Sequence, residues 1–333
     1  MRVGWVWVFG FSISALAQQM TLDVVVTDKS GKPVGGLTEQ DFTLRDNKLP
    51  QKIVSFQAVQ GNTEDPPVQV ILLLDEVNTG FNSVAYERDQ IDRFLKRDGG
   101  QLARATSFAF VTDKGLSIGE GATRDGNALM ADLDQNKSGL RTITRAQGFY
   151  GANDRLEICL RALQQLADYE TPRPGRKIVL WISPGWPLLS GPGIELTPKS
   201  QQAFFANVVT LSDSLRRARI TLDSIDPLGT SDTGGTRTIY YKAFLKGVKK
   251  PSQVQIGNLG LQVLAEQSGG RVLNSSNDVA GEIATCVNDT SFYYIVTFNA
   301  LPGDGPNDYH ALEMKVDKPG MTARTRTGYY AQP

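Results

Sequence analysis

The sequence contains few of the residues from which most catalytic and metal sites are built. Its 333 residues include one histidine, His310, and two cysteines, Cys159 and Cys286. One histidine, with only two cysteines, is too few for the four protein ligands of a structural zinc site. Lysine and arginine together number 35, as do aspartate and glutamate, so no excess of positive charge favours a nucleic-acid partner. The phosphate-cradling pattern Gly-x-x-x-x-Gly-Lys is also absent.

Long apolar runs are missing after the first residues of the chain, and a membrane-spanning helix needs about 20 such residues. The start itself is positively charged, residues 3–13 are mostly apolar, and a small-x-small pattern at 15–17 precedes Gln18. This order is typical of a secretory signal peptide. We therefore predict that residues 1–17 are removed. The mature chain would be exported, to the periplasm or the extracellular space, without a transmembrane segment.

Short strands with alternating apolar residues occur at both ends of the chain. They are predicted at 22–26, 42–44, 53–56, 291–298, 310–316 and 323–329. Three or four strands of this length cannot enclose a core alone. We therefore predict that residues 18–62 and 291–333 together form one β-sandwich-like module. The middle of the chain would be an insertion in it, which fits a chain too long for one typical domain.

The middle segment, residues 66–290, alternates apolar strands with amphipathic helical patterns. Strands are predicted at 66–75, 107–111, 177–183, 220–225 and 272–273. Strands separated by helices in this order predict an α/β fold, a doubly wound and mostly parallel sheet with helices on both faces. The first of these strands ends on Asp75. Because ligands bind at the carboxyl ends of strands in such sheets, Asp75 lies where a site is expected.

The residues at 75–79 resemble a known metal-binding loop. Their sequence, Asp-Glu-Val-Asn-Thr, is similar to the metal-ion-dependent adhesion site of von Willebrand factor type A (VWFA) domains, whose usual form is Asp-x-Ser-x-Ser. Segments 175–187 and 264–271, with the Tyr-Tyr strand after the last helix, resemble the VWFA-related proteins typical of acidobacteria. This resemblance covers almost the entire mature chain. It implies a VWFA-like domain at 66–290 that binds a protein or a surface ligand.

The resemblance also implies a cofactor, Mg²⁺ or another divalent cation. Asp75 and Thr79 match motif positions, and Asn78 offers a further oxygen. Aligning the central helix brings Asn153 to the position of the family's threonine, with Asp154 beside it. Water can replace a missing ligand of such a cation.

Two departures make this motif degenerate. Val77 replaces the first serine, and Pro184 stands where the family has a later aspartate. The alternative therefore stays open that Asp75 and Thr79 only fix the loop and cap the next helix.

The rim around Asp75 is the expected binding face. Its predicted residues are Glu76, Ser183, Trp186, Arg237 and Tyr240. A tryptophan at a rim offers a large contact area and one hydrogen-bond donor. We expect Trp186, between a glycine and a proline, to be exposed there.

Catalysis has little support in the sequence. Ser117 lies in a Gly-x-Ser-x-Gly pattern, but the pattern spans a predicted hairpin and not a strand followed by a helix. The two cysteines belong to helices on opposite sheet faces, so we predict free, buried thiols and no disulfide. We expect a protein-binding or adhesion-type module and not an enzyme. The alternatives are a metal-free structural or assembly scaffold and, with less support, a hydrolase.

Overall fold

The computed structural model describes residues 18–61, 67–135, 149–187, 196–228 and 240–333. The predicted signal peptide, residues 1–17, and the predicted rim residue Arg237 lie outside these described residues.

The strands and helices follow the chain in the order that the sequence patterns predict, with some additions. The strands are β1 (Gln19–Thr27), β2 (Phe42–Asp46), β3 (Leu49–Gln51), β4 (Ile53–Gln60), β5 (Val68–Asp75), β6 (Gln101–Thr112), β7 (Gly115–Ile118), β8 (Thr123–Asp125), β9 (Arg176–Ile182), β10 (Ile220–Ile225), β11 (Val272–Leu273), β12 (Phe292–Asn299), β13 (Asp308–Val316), β14 (Thr322–Arg324) and β15 (Gly328–Ala331). The helices are α1 (Phe81–Leu95), α2 (Gly126–Gln135), α3 (Phe149–Glu170), α4 (Pro198–Arg217), α5 (Leu261–Ser268) and α6 (Val279–Asn288). The sequence patterns did not predict α2, β3 or β8, and the single strand predicted at 323–329 is divided into β14 and β15.

The central sheet has the order β11-β10-β9-β5-β6-β7. The strands from β11 to β6 pair in parallel, and β7 returns from β6 as an antiparallel hairpin. β8 pairs with β6 as well, also antiparallel. β9 is buried along its whole length, as an unbroken apolar run predicts for a strand covered on both faces. The predicted fold class, α/β with a doubly wound and mostly parallel sheet, is confirmed.

Helices cover both faces of this sheet because alternate strand residues point to opposite sides. Ile71 and Leu73 of β5 share a core with α3, α4 and α5. Their neighbours on β5 share another core with α1, α2 and α6. Cys159 belongs to the first core and Cys286 to the second, and both are free and buried. The prediction of two unpaired thiols is confirmed.

The two ends of the chain build two small antiparallel sheets. One has the order β14-β1-β12-β4 and the other β15-β13-β2-β3. Inward-facing residues from both sheets, among them Leu22, Leu44 and Phe298, form one shared core. The second sheet also packs on the central part, where Tyr330 meets Phe205 of α4 with ring centroids 6.0 Å apart. Among the described residues, no helix is both long and apolar enough to cross a membrane.

Candidate functional site

Asp75 lies at the carboxyl edge of the central sheet, as the sequence predicts. It is the last residue of β5, and the register with β9 brings it beside Ser183. Parallel strands end at the same edge, so residues that follow β5, β9 and β10 meet there. The backbone N–H of Glu76 donates to Val111 of β6 at 2.9 Å and anchors the start of the loop.

The side chain of Asp75 does not face solvent, which corrects the expectation of an open rim. It is 1% exposed. Trp186, which we expected to be exposed, is 3% exposed and packs edge-on against Trp181, with ring centroids 5.0 Å apart. Cys159 of α3 closes the same pocket. The segment after β9 therefore folds back over the strand end, because burying two large rings together removes more apolar surface from water than exposing one.

Five hydrogen-bond donors converge on the Asp75 carboxylate. Oδ1 accepts from the backbone N–H groups of Val77 at 3.1 Å and Asn78 at 3.0 Å. Oδ2 accepts from Asn78 Nδ2 at 2.9 Å, Trp181 Nε1 at 3.0 Å and Ser183 Oγ at 2.9 Å. A carboxylate has about four lone-pair sites, so these donors use all of its accepting capacity.

Burial raises the pKa of Asp75, and the bonds from Asn78, Trp181 and Ser183 act in the opposite direction. Burial also raises the pKa of the Cys159 thiol well above its usual value, and the nearby Asp75 charge adds to this effect. The thiol therefore stays protonated at neutral pH. Its Sγ lies 3.9 Å from Asp75 Oδ2 and accepts from Asn78 Nδ2 at 3.2 Å. Cys159 is thus a packed neighbour of the carboxylate and not a reactive thiolate.

Helix α1, which follows the loop after Asp75, carries a second buried acid. Glu87 of α1 is 3% exposed, and burial raises its pKa well above the usual value, helped by the charges of Asp75 and Glu76. The Thr79 hydroxyl is buried near Glu87 and acts against this rise in the Glu87 pKa. Glu76 is partly buried, and burial raises its pKa too. Thr79 does not cap α1, because the N-cap residue of that helix is Gly80 and no side chain bonds there.

The other predicted site residues are not brought together with Asp75. Asn153 lies in α3, where its amide donates to Glu157 at 2.9 Å. Asp154 beside it is exposed. Asn153 precedes Cys159 by more than one helical turn, so α3 presents a thiol to Asp75 where the alignment predicted an amide. Tyr240 is partly buried against Phe244, with ring centroids 5.2 Å apart.

More acidic side chains gather at this edge of the sheet. Glu282, in the first turn of α6, is 8% exposed, and its Oε2 makes no hydrogen bond. Burial raises its pKa to about 7, with further contributions from Asp226 after β10 and Asp278, the N-cap of α6. Within the described ranges, no group of three or more histidine, cysteine, aspartate or glutamate side chains is placed to hold a metal ion.

The residues of the hydrolase alternative lie apart. Ser117 is an exposed residue of β7 in the central sheet. His310 is buried between the small sheets, where its Nδ1 lies 2.8 Å from Asp46 Oδ1. Tyr329 donates to the other oxygen of Asp46 at 2.6 Å. This buried triad joins β2, β13 and β15 and explains the position of the single histidine as a structural one.

The comparisons with known proteins gave matches among solved structures. No protein-family model matches the chain, and no curated protein matches it. Solved structures do match at low identity. The SpRpn10 VWA domain is 13% identical, with 65% of this chain and 93% of that domain covered and a TM-score of 0.29.

Two larger proteins match as well. The pilus adhesin SpaC from Lactobacillus rhamnosus GG is 11% identical over 90% of this chain and 43% of its own, with a TM-score of 0.41. The human COPII-coat protein Sec24c is 10% identical over 83% of this chain and 46% of its own, with a TM-score of 0.35. The chain thus spans less than half the length of either protein.

Two partners of Asp75 were missed in the sequence, and one left a usable signal. A tryptophan inside a buried strand needs an acceptor for its N–H. Trp181 lies on β9, next to the strand that ends in Asp75, so the pair was in principle predictable. Cys159 gave no such signal, because its position depends on the phase of α3 against the sheet.

Proposed function

We propose that this chain is an exported protein-binding module, not an enzyme, whose VWFA-like part works without a metal ion at Asp75. The observation that carries the proposal is the closed set of five donors around the carboxylate. A hard divalent cation needs oxygen lone pairs and usually keeps several waters. Neither requirement is met by a carboxylate that is 1% exposed and saturated with N–H and O–H donors.

In this proposal, Asp75 has an architectural role. It ties its own loop, through Val77 and Asn78, to Trp181 and Ser183 of the neighbouring strand end. A network of satisfied buried polar groups rigidifies the backbone around it. The polypeptide surface at the carboxyl edge then keeps one shape without a cation. A preformed surface loses less conformational entropy when it binds a protein.

The first experiment measures whether divalent cations bind. Thermal melting of the mature chain would be recorded in Mg²⁺, Ca²⁺ and Mn²⁺ and in EDTA, for the wild type and for Asp75→Asn. We expect the same melting temperature in every buffer for a given variant. A cation-dependent rise in the wild type that disappears in Asp75→Asn would contradict the proposal.

The second experiment addresses the protein partner. The purified mature chain would be cross-linked in an envelope extract of the source cells, with and without EDTA, and cross-linked peptides would be mapped. We expect a partner whose cross-links fall around the loop after β5 and persist in EDTA. Cross-links that vanish in EDTA would indicate that partner binding needs a cation, which would contradict the proposal. Turnover of ester or peptide substrates would contradict a non-enzymatic role.

A further inference from the structure

Most sheet edges in the described part of the chain are short. β3 and β14 have 3 residues each, β7 and β15 have 4, and β11 has 2. β4 is the exception, with 8 residues and pairing to β12 alone. Its outer side therefore presents a row of backbone N–H and C=O groups that no strand within the described ranges uses. Proteins usually keep such edges short, charged or interrupted by proline, because a long edge is a template for another strand.

The composition of β4 adds to this contrast. The strand contains no charged residue and no proline from Ile53 to Gln60. The edge of the second small sheet, β3, has Pro50 in its middle, and the short edge strand β14 ends on Arg324. Charge and proline, two of the devices that hinder strand addition, are thus present at neighbouring edges and missing from β4.

Exposed apolar side chains lie on β4 and on β3, the strand before it in the chain. The most exposed large apolar residues among those described are Leu49 on β3, at 58%, and Val54 on β4, at 47%. Val54 is the extra residue of a β-bulge, after which β4 runs regularly to Gln60. Phe56, in that regular part, is only partly buried and forms the outer member of an aromatic group with Phe42 and Tyr294. The shared core of the small sheets is therefore open at this edge.

We propose that β4 pairs with β4 of a second copy of this chain, antiparallel across a two-fold axis, to give a homodimer. The two four-stranded sheets would join into one continuous sheet of eight strands. Residues directly opposite in an antiparallel pair lie on the same face. With the axis at Gln57, Phe56 of each copy faces Ala58 of the other, and Ser55 faces Val59.

Self-complementarity favours a second copy over an unrelated strand. Phe56 and Ala58 are a large and a small residue on the core side, so each Phe56 gains the cover that it lacks in the monomer. Like charges directly opposite destabilise a strand pair, and β4 brings none. A two-fold pairing is closed, so it yields a dimer and not a fibre. This inference does not depend on the role of Asp75.

The test uses the fact that residue 57 meets its own copy at the axis. We expect the wild-type mature chain to show a monomer–dimer equilibrium in sedimentation velocity over a concentration series. Gln57→Lys and Gln57→Glu each place like charges opposite, so each should weaken dimerisation at least tenfold. An equimolar mixture of the two variants should restore the dimer, because the opposed charges are then of opposite sign. Gln57 is exposed, so both variants should keep the wild-type melting curve at protein concentrations where the wild type is monomeric.

Thr322→Lys is the matched control, since Thr322 is an exposed residue on the short edge strand β14. It should dimerise as the wild type does. A wild type that stays monomeric up to about 0.1 mM, where even a weak specific dimer would be populated, would overturn the proposal and leave the edge to a strand of another protein. Dimers that persist in both single variants, or a mixture that fails to restore them, would overturn it as well.

Discussion

Replacing Asp75 by asparagine removes one carboxylate oxygen while keeping the shape of the side chain. The remaining carbonyl can accept from either the backbone pair, Val77 and Asn78, or the side-chain group around Trp181. The new NH₂ group is itself a donor, so the donors that bonded to the lost carboxylate oxygen now face another donor. The Ser183 hydroxyl can rotate and accept from it, but two N–H groups lose their acceptor in either orientation.

The magnitude follows from these two orphaned donors. Each buried donor without a partner costs about 1–3 kcal/mol. Removing a desolvated charge offsets part of this cost, in accordance with the effect of burial on the pKa of Asp75. We therefore expect Asp75→Asn to lower the free energy of unfolding by about 2–4 kcal/mol. Urea denaturation followed by tryptophan fluorescence measures it, because Trp181 and Trp186 lie in the same pocket.

The matched control is Asn153→Ala, which deletes a predicted metal ligand. In the structure, the Asn153 amide donates to the exposed Glu157 on the same helix, so the change should stay within about 0.5 kcal/mol. Both results should be the same in Mg²⁺ and in EDTA. An Asp75→Asn variant as stable as the wild type would refute the reasoning, since the donors would then not depend on the carboxylate.

Three further changes test other parts of the structure. Asp289→Asn breaks a pair in which the Arg271 guanidinium donates at 2.8 and 2.7 Å to an almost buried carboxylate. The change should lower the free energy of unfolding in urea by about 3 kcal/mol. An unchanged free energy would show that this pair does not stabilise the fold. Tyr329→Phe removes a hydrogen-bond donor to the fully buried Asp46 and should lower the free energy of unfolding by about 1–3 kcal/mol. An unchanged melting temperature would contradict this prediction. Glu282→Gln should flatten the pH dependence of stability. Burial raises the Glu282 pKa to about 7, so the folded wild type binds the proton more tightly and loses stability as pH rises from about 4.5 to 7. At pH 8 the variant should be more stable by up to about 3 kcal/mol, and parallel pH curves for the two proteins would exclude this.

The architecture was predictable because it depends on patterns within single segments. An unbroken apolar run such as residues 70–74 is typical of a strand covered on both faces, and alternation of strands with helices implies a parallel sheet. The same logic assigned Cys159 and Cys286 to opposite faces. The helix α2 was missed because its ten residues carry only a short apolar stripe, with Leu129 and Leu133 buried.

The orientation of the site depended on residues far apart in the chain. Whether a carboxylate at the end of a strand faces solvent depends on what the neighbouring strand and helix place over it. The partners of Asp75 lie 84 to 108 positions away, at Cys159, Trp181 and Ser183. Trp186 was expected at the surface because its glycine and proline neighbours indicate a loop, but the loop folds inward onto Trp181.

The sequence by itself determined that this chain forms a helix-covered parallel sheet with one strand ending on Asp75. It also determined that both ends of the chain form β strands. Hydrophobic periodicity is a local property, so one chain segment at a time suffices to predict it. Only the tertiary structure decided that Asp75 is enclosed by five donors and that β4 is left at an open edge. Both outcomes follow from how distant segments pack together, and no pattern within a single segment contains that information.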